Sequence, residues 1–191
     1  EAAVEKLEVK REVFARLDKV TPPHAILTTN SSAIMSSQLA DATGRPDRVA
    51  NMHFFNPALV MRCVEVVRGP DTSDATVDAV VALTRQLGKE PVVLRKEIPG
   101  FVENRILYAI LRECLDLVDR GIIDPEGLDL NVRWGIGYKL AVIGPMELLD
   151  MAGLDIYNAV GSYLNQDLST AGDVSSTIRD LIDKGRLGMK T

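Results

Sequence analysis

Residues 53–67, "HFFNPALVMRCVEVV", place one of the chain's two histidines beside an Asn-Pro break and a glutamate inside an otherwise apolar, strand-like run. A glutamate in such a strand is costly to bury unless it has a partner. If the two flanking segments fold back as an antiparallel pair across "NPALVM", the midpoint between His53 and Glu65 is Leu59, and the two side chains face each other. The period of two puts Cys63, Glu65 and Val67 on one face and Val64 and Val66 on the other. A carboxylate facing a histidine fixes the ring tautomer and stabilises the imidazolium, leaving the other ring nitrogen free for proton transfer. The competing reading is plain packing. A lone histidine can fill a core, Asn56 before Pro57 is a common turn former, and a buried Cys63 behaves as a small hydrophobe.

A second polar group closes the run "AILTTNSS". Small polar residues at the carboxyl end of a strand are where open α/β sheets bind ligands, although the same residues also make an ordinary turn. "WGIGYKL" invites comparison with a dinucleotide fingerprint and fails it. Leu140 stands where the third glycine belongs, and no strand precedes it.

The elements that must position these residues follow from periodicity. Helical spacing covers roughly residues 2–17, with Val4, Leu7, Val13, Phe14 and Leu17 on one side, ended by Pro22 and Pro23. A short strand is expected at "AILTTN", and a helix from Ser36 or Ser37 to Gly44. Strands follow at "RVANMHFF" and "MRCVEVVRG", a helix over residues 72–87 and a strand at "PVVLRK". This alternation predicts an α/β sheet with helices on its faces. Beyond "EIPG" no convincing strand remains. "FVENRILYAILRECLDLVDRG", "PMELLDMAGLDIYNAVGSYLNQ" and "SSTIRDLIDKG" read as helices. A boundary is therefore expected near residue 98, with an all-helical module after it.

The net charge of −5 and the lack of a basic run argue against nucleic acid as a partner. Cys63 and Cys114 fit neither a metal spacing nor a disulfide framework, so no metal site and a reducing, cytoplasmic setting are expected. No apolar run approaches the roughly 18 residues a membrane span requires, so no membrane partner is expected.

Read together, "EKLEVKREVFARLD", "AILTTNSSAI", "HFFNPALVMRCVEVV", "PGFVENRI", "GPMELLDMAGLD" and "GRLGMKT" resemble the short-chain L-3-hydroxyacyl-CoA dehydrogenases over essentially the whole chain. The resemblance implies a Rossmann-like NAD-binding domain, here residues 1–97, and a helical C-terminal domain, residues 98–191, that makes substrate and homodimer contacts. It implies reversible NAD-dependent oxidation of the 3-hydroxyl of an acyl-CoA substrate to the ketone, in fatty-acid or butanoate metabolism. Carried over by motif, His53 is the catalytic base and Glu65 its partner. Ser32, Asn56 and Asn104 contact the substrate. Glu5, Lys10, Asn30, Ser32 and Lys190 lie on the cofactor side. Two other readings belong to relatives of this family: a dehydrogenase of free hydroxy or sugar acids of the L-gulonate type, and a non-catalytic, crystallin-like dimerisation module. Loss of the histidine–glutamate pair would mark the second, and both residues are intact.

The chain departs from the family at its start. The strand and G-x-G-x-x-G turn that cradle a pyrophosphate, the acidic ribose ligand and the helical excursion that grips CoA are not in the sequence. It also stops where the family continues to a "GFYxY"-like end. The expectation is an incomplete form, comprising the last part of the dinucleotide domain and most of the helical domain. We therefore expect these 191 residues alone to bind NAD weakly or not at all. Calorimetric titration of NADH into the 191-residue polypeptide checks this, and saturable binding at low micromolar concentration would refute it.

Overall fold

In the computed structural model, which describes residues 1–190, the hydrophobic stripe Leu7, Phe14 and Leu17 folds as helix α1 (Leu7–Val20). The helix starts later than its spacing suggests. Residues 1–6 instead lie outside the helix, and Glu1 pairs with the first strand, β1 (Leu27–Thr29), where its nitrogen donates to Thr28 O and the Asn30 N–H donates to Glu1 O. At the other end the helix reaches Val20, because Pro22 and not Leu17 is the first residue that cannot continue it.

The remaining α/β elements occur in the expected order. Helix α2 (Ser37–Ala40) is shorter than expected and leads through a 3₁₀ turn at Pro46–Arg48 into β2 (Val49–Phe54). Strand β3 (Cys63–Val67) follows, then α3 (Asp74–Gln86) and β4 (Glu90–Leu94). Ser73 caps α3 by accepting the Thr76 N–H. The strands form one sheet in the order β1-β2-β3-β4. The outer pairs are parallel, and β2–β3 is antiparallel with His53 opposite Glu65.

Alternation along β2 and β3 divides the apolar residues between two faces. Met52, Val64 and Val66 pack with Val77 and Val80 of α3. On the other face Val67 packs with Leu94, Phe101 and Met35. Phe14, Leu27, Leu39, Ala40 and Val49 form a third cluster under α1 and α2.

The chain divides into two compact units, Glu1–Ile106 and the residues from Leu107 onward. Helix α4 (Glu103–Asp119) begins in the first. The second contains α5 (Pro125–Val132), α6 (Tyr138–Leu140), α7 (Pro145–Ala152), α8 (Leu154–Leu164) and α9 (Ser176–Asp183). Helix α5, which periodicity misses, is signalled locally: Asp124 accepts the Gly127 N–H at 2.7 Å, and Pro125 takes the first helical position. The "WGIG" that mimics a nucleotide motif is a π-helical turn, Arg133–Gly137. A Cβ at Gly137 would stand 2.8 Å from Val132 O, so the glycine is needed for the widened turn. Among the described residues no helix is long and apolar enough to cross a membrane.

Candidate active site

Strand β2 ends one residue beyond His53, and the register brings Glu65 of β3 directly across from it. His53 Nδ1 lies 3.0 Å from Glu65 Oε2, and both side chains are buried. The other carboxylate oxygen, Glu65 Oε1, accepts the backbone N–H groups of Val102 and Glu103, each at 3.0 Å. These amides belong to the start of α4, where unpaired N–H groups and the helix dipole favour negative charge.

Burial by itself raises the Glu65 carboxyl. The hydrogen bond from His53, the Glu103 and Val102 amides and the charge of His53 outweigh it and hold the group below the ordinary glutamate value. Glu65 is then an ionised acceptor at both oxygens, so the shared proton resides on His53 Nδ1. In the neutral ring this leaves the lone pair on Nε2, the tautomer a general base requires.

A lowered folded value fixes the sign of the pH dependence. The stability Glu65 contributes is fully present above its ordinary titration, about pH 4.3, and is lost as pH falls through the lower folded value. We expect Glu65→Gln to be less stable than the parent at neutral pH, with the gap closing under acid. Denaturant unfolding of both proteins across pH 2–7 measures it, and a gap independent of pH would refute the assignment.

Two aromatic rings hold the imidazole. Phe55 meets it edge-on at 5.2 Å between centroids, and Phe101 lies tilted at 5.5 Å. Phe101 is fully buried at φ 49°, after Gly100 at φ 78°, and this turn delivers the next two amides to Glu65. Neither Phe101 nor those amides are evident from residue type. "PGF" signals a turn, but backbone donors have no side-chain signature.

The other sequence candidates fall into three groups. Asn30 and Ser32 follow β1 at the carboxyl end of the parallel pair, the end where β2 presents His53. Asn30 Oδ1 accepts the Phe54 N–H at 2.9 Å and ties the two strand ends together. Glu5 and Lys10 form a second cluster that joins the residues flanking Ser32. The Lys10 ammonium is buried and contacts Glu1 at 3.0 Å, Glu5 at 3.3 Å and Ala3 O at 3.2 Å. Glu5 in turn accepts from the Ser31 hydroxyl and the Ala33 N–H. Asn56 is exposed in the β2–β3 loop, and Asn104 is half-buried in the first turn of α4. The Lys190 side chain lies outside what the structure describes. A groove of about 360 Å³ lined by Glu1, Ala2, Thr28, Asn30, Met52, Phe54 and Ala58 includes neither member of the His53–Glu65 pair. Among the described residues no cluster of histidine, cysteine and carboxylate side chains could hold a metal ion.

Residues 1–98 match the family model described as "3-hydroxyacyl-CoA dehydrogenase, NAD binding domain", and residues 100–191 match "3-hydroxyacyl-CoA dehydrogenase, C-terminal domain". The 5-formyl-3-hydroxy-2-methylpyridine 4-carboxylate 5-dehydrogenase of Mesorhizobium japonicum is 46% identical over 98% of this chain and 60% of its own length. Human mitochondrial hydroxyacyl-coenzyme A dehydrogenase is 39% identical over 100% of this chain and 60% of its own. The chain thus spans about 60% of the length of these curated relatives.

Among solved structures, one of a 5-formyl-3-hydroxy-2-methylpyridine 4-carboxylic acid 5-dehydrogenase, an NAD⁺-dependent dismutase, superposes with TM-score 0.96 at 45% identity, covering 100% of this chain and 62% of its own. An (S)-3-hydroxybutyryl-CoA dehydrogenase from Ralstonia eutropha superposes with TM-score 0.78 at 38% identity, covering 100% and 66%. With family models matching nearly its whole length on either side of residue 99, this chain belongs to the 3-hydroxyacyl-CoA dehydrogenase family.

Proposed function

We propose that this chain carries the proton-transfer centre of an NAD-dependent dehydrogenase that interconverts an L-3-hydroxyacyl-CoA and its 3-ketoacyl-CoA. The observation that carries this is the His53–Glu65 pair, closed at 3.0 Å at the carboxyl end of β2 and backed by the Val102 and Glu103 amides at the entry to α4.

In the oxidation, His53 Nε2 takes the proton of the substrate hydroxyl as the C–O bond gains double-bond character. Glu65 balances the charge that develops on the ring. In the reverse direction His53 returns that proton to the ketone oxygen. Bound NAD supplies the hydride acceptor. Asn30 and Ser32, at the end of β1, fit its nicotinamide side, because open sheets bind ligands at this strand edge. Glu5, Lys10 and Lys190 are assigned to the same side. Ser32, Asn56 and Asn104 are assigned to the substrate.

Residues 1–97 are assigned to the cofactor and 98–191 to substrate and dimer contacts. From Leu107 onward Gly161 is the sole buried position among the described residues, while Trp134, Tyr138, Val142 and Met146 are exposed. Such an apolar surface is typically covered by a two-fold copy. Light scattering on the full-length protein is expected to give a dimer, and a monomer at micromolar concentration would refute it.

A second reading is favoured by one observation. Identity and superposition are both higher with the pyridine-carboxylate dehydrogenase than with the hydroxyacyl-CoA enzymes. The same base would then serve a small carboxylated aromatic substrate without CoA. Full-length enzyme assayed with NADH and acetoacetyl-CoA, beside NAD⁺ and 5-formyl-3-hydroxy-2-methylpyridine 4-carboxylate, decides between them. Turnover of the pyridine alone overturns the acyl-CoA reading, and turnover of neither overturns both.

A further inference from the structure

Between β1 and α2 the chain crosses residues 31–36 without joining the strand ladder, and Ser32 is carried on this crossing. Its position relative to His53 must therefore come from side chains. A local turn, in which the Ser31 hydroxyl accepts the Ala33 and Ile34 N–H groups, and the Asn30–Phe54 tie supply part of them, and Asn51 supplies the link to the strand that carries His53. Asn51 is fully buried on β2, two residues before His53, so both project from one face.

Every hydrogen bond of its carboxamide goes to the crossing. Oδ1 accepts the Ser36 N–H at 2.7 Å. Nδ2 donates to Ile34 O at 3.0 Å and to Ser31 O at 3.4 Å. These anchor points bracket Ser32 on both sides. At the far end the Glu97 carboxylate accepts the Ser36 hydroxyl at 3.3 Å and the Ser37 N–H at 3.2 Å. Gly69 leaves room there, since a Cβ on it would stand 2.6 Å from Ser36 Oγ. At the near end the Lys10–Glu5 pair holds Ser31.

We infer that Asn51 is a positioning residue that sets the distance between Ser32 and the His53 base. The inference rests on the dehydrogenase reading for what Ser32 does, but not for the tether itself. Only a carboxamide fits the geometry. It offers one acceptor and two donors in a plane, to one N–H and two carbonyls. A carboxylate of the same shape would face the Ser31 and Ile34 carbonyls with negative charge. A leucine of similar volume would leave all three main-chain groups unsatisfied.

The test uses the full-length protein and two readouts. In Asn51→Leu, amide hydrogen exchange of residues 31–36 is expected to accelerate, while the amides of β2 and β3 around His53 and Glu65 keep their protection. Turnover is expected to fall roughly 10- to 100-fold, the scale of misplacing a reacting group by about 1 Å. In a Ser32→Ala background the same substitution is expected to cost less than about 3-fold, because the residue it positions is already gone.

Unchanged exchange in residues 31–36 overturns the tether. Effects of Asn51→Leu and Ser32→Ala that simply multiply overturn the action through Ser32. Should Asn51→Leu fail to fold, Asn51→Asp, which keeps the Ser36 acceptor and loses both donors, takes its place with the same expectations. A parent enzyme without turnover would count against the dehydrogenase reading, and the exchange measurement alone would then decide the tether.

Discussion

In the full-length enzyme, His53→Ala and Glu65→Gln are each expected to lower kcat by at least about 10²-fold, the usual scale for removing a positioned acid–base group. The two losses have different causes. His53→Ala deletes the proton acceptor. Glu65→Gln keeps its shape, and its carbonyl can still accept the Val102 and Glu103 N–H groups. Its amide then points at His53 as a donor, where the carboxylate accepted at 3.0 Å. The neutral ring must now take that hydrogen bond on the Nδ1 lone pair and carry its own proton on Nε2. The base would face the substrate already protonated, and no carboxylate would compensate an imidazolium. Glu65→Gln should consequently bind NADH like the parent while losing turnover. Steady-state kinetics with parallel NADH titration checks both statements, and near-parental kcat in either variant would remove that residue from the mechanism.

The second large effect is expected at Phe101. Its ring is fully buried between His53, Val67 and Leu94, and its backbone sits at φ 49°. Phe101→Ala is expected to cost about 3–5 kcal/mol of stability, the range for emptying a buried aromatic site. It should also lower kcat, because the Val102 and Glu103 amides would no longer be held against Glu65. Positive φ separates packing from backbone strain. Phe101→Gly is expected to be no more destabilising than Phe101→Ala, although it removes one more carbon, since glycine occupies this region freely. Phe101→Leu, nearer in volume, should cost less than Phe101→Ala. Urea unfolding of the three variants orders them, and a Gly variant clearly weaker than the Ala variant would show that strain at this position is negligible.

Much of the first unit was determined by the sequence itself, for physical reasons that act locally. Alternating residues in "VANMHF" and "CVEVV" leave one face apolar, and the Asn56–Pro57 break forces a return between them. The His53–Glu65 register then follows from counting, because an antiparallel pair is symmetric about its loop. Asp124 and Pro125 could have revealed α5 by capping logic alone, since a cap acts within one turn. Asn51 too was within reach. A carboxamide two residues before His53 in an apolar strand also needs partners, although a neutral amide costs less to bury than the charge of Glu65.

What only the tertiary structure decided depends on atoms without residue identity, or on distant segments. The second oxygen of Glu65 is satisfied by two backbone amides 37 and 38 residues away, and any residues could have supplied them. Lys10 falls on the apolar stripe of α1, where spacing says nothing of its fate. Burial against Glu1 and Glu5 emerges once the first residues leave the helix and Glu1 pairs with β1. The crossing that carries Ser32 has no periodicity at all, so its place is set by a local turn on the Ser31 hydroxyl together with side chains that reach it from distant segments, Asn51 among them: local pattern fixes which face a residue takes, and only packing fixes what waits there.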